Sequence, residues 1–198
     1  MTGLDLARKP LGPADCAFGL AIPTSERRFR SDLRRDDRGF ARSFDGWPHY
    51  SSQVMSAART VLPQMRRIGV EVVTGVELGD YGRLLRRDFK VIILMAHWSG
   101  RTVEFADGFA EVPAILAQFP PGIVRLFDLS ICHPEPLAMA MRLRLSDDCL
   151  IRYGTSGATP ALWLYFYLSL FHQLRNNKLS YLQAFELNME TWRASHHA

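Results

Sequence analysis

Residues 90–96, KVIILMA, constrain this chain more than any other segment. Six apolar residues in a row, Val91 to Ala96, cannot form a strand with one wet face, because successive side chains point to opposite faces. The run is far shorter than the roughly 18 residues a membrane helix needs. It predicts a strand buried on both faces, in the middle of a parallel sheet covered by helices on each side. Residues 123–131, IVRLFDLSI, predict its neighbour. Shorter strands are predicted at 17–22, 70–76 and 149–153.

Helical spacing of Val54, Ala57, Ala58, Val61, Leu62 and Met65 predicts a helix over 50–68, kinked at Pro63 and ended by Gly69. Residues 77–88 read as a short helix or turn. Asp107-Gly108, flanked by Val103, Phe105 and Phe109, signals a hairpin over 102–112. Further helices are expected at 112–119, 136–145, 159–175 and 180–194, the third opened by a Thr159 cap and Pro160. Strands alternating with helices define an α/β fold with a mainly parallel sheet and helices on both faces.

A length of 198 residues suits one such domain, 1–198. With 47% hydrophobic and 22% charged residues, the composition is that of a globular protein. No segment is long and apolar enough to span a membrane, and residues 1–10 lack the apolar core of a signal peptide, so a cytoplasmic location is expected. Three cysteines, Cys16, Cys132 and Cys149, follow no regular spacing. They argue against a disulfide framework and a zinc site, so neither a metal nor a cofactor is expected.

The net charge of +4 owes much to Arg27, Arg28, Arg30, Arg34, Arg35, Arg38 and Arg42, interleaved with Asp32, Asp36 and Asp37. This mixed pattern predicts a solvated, charged loop excursion over 24–48. Neither a stacking aromatic series nor finger spacing accompanies it, so nucleic acid is not an expected partner.

Ligands of open α/β sheets bind beyond the carboxyl ends of the strands. Two chemically capable residues fall there: His97 after the strand 90–96, and Cys132 after the strand 123–131. If those strands are parallel neighbours, their tips lie about 5 Å apart. A thiol is mostly protonated at neutral pH, and only the thiolate is a strong nucleophile. An imidazole beside it takes the proton and returns it to a leaving amine. Cys132 is thus the candidate nucleophile and His97 the candidate general base. Backbone N–H groups at Trp98 and Cys132 are the candidate oxyanion donors.

The ordered series VIILMAHWSG, VEFADG, IVRLFDLSICHPEP and LIRYGTSG resembles the CHAT and caspase-like cysteine peptidases, best over residues 90–188. In that group a buried strand ends in His, a short hairpin follows, and a later strand ends in the catalytic Cys. CHAT domains often read Leu-Ser-Ala-Cys where this chain has Leu129-Ser130-Ile131-Cys132, and metacaspases often have Cys-His, matched by Cys132-His133. The chain departs at Trp98, where Gly is usual.

The resemblance implies a caspase-like three-layer sandwich and a hydrolase of the thiol protease type, acting on a protein substrate. It also implies a bacterial defence or signalling module with an activating sensor protein. Metacaspases hold a basic substrate side chain with an acid two residues before the Cys. Here that position is Ser130, so the acidic wall is missing there; Asp128, about 7 Å deeper on the same face, reads either as a substrate-binding acid or as a buried structural one, and Arg101 is the candidate for an acidic side chain. The alternative expectation is a caspase-like interaction module with weak or no catalysis.

Overall fold

The computed structural model describes residues 8–35, 39–99, 101–145, 147–153 and 159–196. Among them is a mixed sheet of seven strands. Five run parallel: β1 (Cys16–Leu20), β2 (Glu71–Thr74), β3 (Val91–Trp98), β6 (Leu126–Ile131) and β7 (Leu150–Tyr153). Their order is β2-β1-β3-β6-β7. The hairpin β4 (Thr102–Glu104) and β5 (Phe109–Glu111) pairs antiparallel with the end of β3. The two long apolar runs are therefore neighbours at the centre, as their lack of alternation requires.

Alternation along the strands divides the core in two. Phe18, Val91, Ile93, Met95 and Leu126 face one side, with α3 (Ser56–Arg67), α7 (Pro160–Asn177) and α8 (Tyr181–His196). Ala17, Ile92, Leu94, Ala96, Phe127 and Leu129 face the other. There they meet α4 (Leu78–Arg86), α5 (Val112–Leu116) and α6 (Glu135–Arg144). Helices thus cover both faces. Pro63 lies inside α3, which is preceded by one wide turn of π-helix at Ser51–Met55. Thr159 caps α7, its hydroxyl accepting from the Leu162 N–H at 3.5 Å.

The expected loop over 24–48 is corrected by the structure. Residues Glu26–Arg35 form a helix, α1, followed by a 3-10 turn at Phe40–Ser43 and a short helix α2 at Gly46–Tyr50. Phe29 and Asp32 are fully buried in α1, and Phe40 and Tyr50 are buried after it. Phe29 packs on Tyr50 with ring centroids 5.0 Å apart, and Phe40 and Phe44 close on Tyr50 at 6.1 and 4.9 Å. Arg27, Arg30, Arg34 and Arg42 are exposed, Arg28 turns inward to donate to the Ala21 carbonyl, and a few spaced aromatics anchor the inner face.

Candidate active site

The chain reverses direction across the sheet at β1. It steps from β1 to β2 on one side, then crosses to β3 on the other. The crevice beyond the carboxyl ends of β1 and β3 is where such sheets take ligands. A cavity of about 60 Å³ lies at this edge. Its walls are Ile22 after β1, Met95 and Ala96 of β3, Leu129 to Cys132 at the end of β6, Arg152 of β7, Pro160 and Trp163 of α7, and Phe40.

His97 and Cys132 are placed by the β3–β6 ladder. Met95 pairs with Ser130 and Ala96 with Ile131, the last pair; His97 is the next residue of β3 and Cys132 the first residue after β6. Neighbouring strands are about 4.8 Å apart. His97 continues the β3 positions that face α7 and α8, Ile93 and Met95. Cys132 is among the described walls of the cavity and His97 is not. His97 is half-buried, and its ring lies 5.4 Å from that of Phe40. Cys132 is exposed in the turn between β6 and α6. The next residue, His133, has φ +52°, a left-handed conformation unusual for a non-glycine residue. The pocket walls still desolvate the Cys132 thiol and raise its pKa, an effect partly offset by a backbone hydrogen bond. The resting thiol is therefore neutral at neutral pH and needs a base before it attacks.

The other cysteines are occupied. Cys16 is fully buried, and burial pushes its thiol far up. The Cys149 thiol donates to the Ile123 carbonyl at 3.0 Å.

The Trp98 indole is 8% exposed, belongs to the core cluster that holds Ala96, Val103 and Ile131, and is not among the described walls of the pocket. The Met95 carbonyl accepts from Ala21, and the Ser99 N–H donates to Thr102, so these odd positions bond toward β1 and the hairpin. Backbone groups alternate along a strand. The Trp98 N–H therefore projects toward the β6 side, where that strand has ended.

Asp128 is no acidic wall. It is fully buried and held by a closed network. Arg152 donates to both carboxylate oxygens, from Nε at 2.7 Å and from Nη2. The Tyr181 hydroxyl donates at 2.6 Å and that of Tyr167 at 3.1 Å. The Arg152 guanidinium also lies 3.6 Å from the Phe185 ring centre. Burial works against the charge on Arg152, and Asp128 together with Tyr167 and Tyr181 more than offsets it, so its pKa is raised. Burial first, then Asp128, raises both tyrosines.

Ser130 lines the cavity, with its Oγ buried beside the Tyr167 hydroxyl. Arg101 is exposed between β3 and β4, and it is not among the described walls. Sequence reasoning missed Arg152, Phe40 and Glu104. The alternation Val103-Glu104-Phe105 was the available signal that Glu104 faces away from its apolar neighbours; its place opposite His97 comes from the pairing of β4 with β3, which the Asp107-Gly108 turn does not set.

Among the described residues no cluster of three or more His, Cys, Asp or Glu is placed to hold a metal ion. No helix of the described residues is long and apolar enough to cross a membrane. The sequence matches no protein-family model, and a search of curated proteins finds no match.

Proposed function

We propose that this chain is a caspase-like cysteine endopeptidase of the CHAT type, with Cys132 as nucleophile and His97 as general base. The observation that supports the reading is the parallel pairing of β3 and β6, which brings their carboxyl ends together just before His97 and Cys132, with Cys132 lining a pocket there. His97 takes the thiol proton, and the thiolate attacks the scissile carbonyl carbon. The oxyanion meets the N–H groups of Trp98 and Cys132. Imidazolium protonates the leaving amine, and water then hydrolyses the thioester with His97 again as base. No cofactor enters this chemistry. A protein substrate, an activating sensor and a bacterial defence or signalling setting follow from the family resemblance.

The test is co-expression with candidate protein partners from neighbouring genes. Wild type cleaves a partner, and Cys132→Ala does not; equal cleavage by both removes Cys132 from the mechanism. The neutral resting thiol favours a second reading, an interaction module without catalysis. A partner bound equally by wild type and Cys132→Ala, with no cleavage and no labelling of Cys132 by a peptidyl electrophile, supports that one.

A further inference from the structure

Glu104 is an acid with no evident reason to be buried. It is 2% exposed. One oxygen, Oε2, accepts the Phe40 N–H at 2.9 Å. The other, Oε1, is buried and makes no hydrogen bond among the described residues. An unmatched oxygen on a buried carboxylate is costly, and such exceptions call for an explanation.

Register supplies one. Glu104 is the cross-strand partner of His97. Ser99 and Thr102 form a bonded pair of the same ladder, so His97 and Glu104, two steps along, form the next bonded pair. Their Cα atoms are then about 5.5 Å apart, and directly opposed residues share a face. Val103 and Phe105 point into the opposite core cluster, which leaves Glu104 on the His97 side. Phe40 joins the two, its N–H on Glu104 and its ring against His97. The His97 Nδ1 is itself buried.

We propose that Glu104 is the positioning residue of His97: its carboxylate takes the Nδ1–H when the ring is charged, holding Nε2 toward Cys132. The proton moves from the Cys132 thiol to Nε2, leaving thiolate and imidazolium, and the Glu104 charge faces the imidazolium. The thiol step rests on the peptidase reading; the coupling of Glu104 to His97 does not. The Tyr50 hydroxyl lies within the field of Glu104 and also of Arg28 and Asp32 from α1, which are of opposite sign to each other.

The experiment is a histidine titration by NMR of the full chain, with the His97 signal assigned from its loss in His97→Gln. Glu104→Gln keeps an acceptor for the Phe40 N–H, so its melting temperature stays close to wild type. In it the His97 pKa falls by about one to three units, because an opposite charge no longer favours the imidazolium. An unchanged His97 titration overturns the proposal. Should Glu104→Gln not fold, wild type decides. His97 titrating above the ordinary value of about 6.5 supports the coupling, and a value at or below it overturns it. Where a cleaved partner is known, Glu104→Gln lowers kcat about tenfold or more with KM unchanged. A His97 shift in a chain without peptidase activity supports the coupling and removes only the peptidase reading. Full activity with no shift removes only the coupling.

Discussion

At the scale of single residues, the thiol of Cys132 sets the pH behaviour of the site. Its pKa is raised by burial, so the neutral form is favoured in the folded chain. Only the thiolate alkylates. Reaction of Cys132 with iodoacetamide, in the absence of substrate, is therefore slow at pH 7 and climbs through and beyond the ordinary thiol range as pH rises. A plateau of fast labelling already reached near pH 6 would mean a preformed thiolate–imidazolium pair. Trp98 offers a second measurement. Its indole belongs to the core cluster that holds Ala96, Val103 and Ile131, so Trp98→Gly opens a cavity there. Stability falls by about 3–5 kcal/mol, read as a lower denaturant midpoint. His133 works in the opposite direction, since its left-handed backbone carries a steric cost that glycine lacks. His133→Gly raises stability by up to about 1 kcal/mol, provided the greater freedom of glycine in the unfolded chain does not cancel the gain. A melting temperature lower than wild type would place the value of His133 in its side chain.

Elements were legible where burial leaves a simple pattern. The runs ending at Ala96 and Ile131 announced the two central strands, and their carboxyl ends announced His97 and Cys132. Two elements were obscured, for one physical reason. In α1 the core is served by Phe29 and Leu33 among seven charged neighbours, so composition hides a narrow stripe that only tertiary packing completes. On β6, Asp128 resembles a specificity acid until Arg152 of β7 and the hydroxyls of α7 and α8 are seen to close on it. Partners 24, 39 and 53 residues away leave no local trace. That network ties four elements together, and it sets an expectation. Arg152→Met strands a buried carboxylate and costs about 3–5 kcal/mol. Combining it with Asp128→Leu recovers most of the loss, because a buried pair replaced by apolar residues is often neutral. Equal destabilisation by the single and double variants, in a denaturant series, would show that the residues do not act as a pair.

Across the whole molecule, the pocket is a joint product of segments far apart in sequence. The segment after β1 contributes Ile22, the arginine-rich segment Phe40, β3 and β6 their carboxyl ends, and α7 Pro160 and Trp163. Among its described walls the one charged side chain is Arg152, and Asp128 already neutralises it. A lysine or arginine side chain entering this space meets no unpaired acid there, and an aspartate competes with Asp128 for a guanidinium held on both oxygens. Either would leave a charge desolvated and unmatched, which costs more than an apolar side chain loses. On the peptidase reading, an uncharged residue is therefore expected beside the scissile bond. Peptidyl chloromethyl ketones differing only in that residue test this directly. Labelling of Cys132 by the leucine or methionine compound runs about tenfold or more ahead of the arginine and aspartate compounds. Faster labelling by the arginine compound would mean that Asp128 is released from Arg152 when substrate binds. Faster labelling by the aspartate compound would mean that Arg152 turns into the cavity. Arg152→Met would then abolish the preference while leaving the leucine compound unaffected.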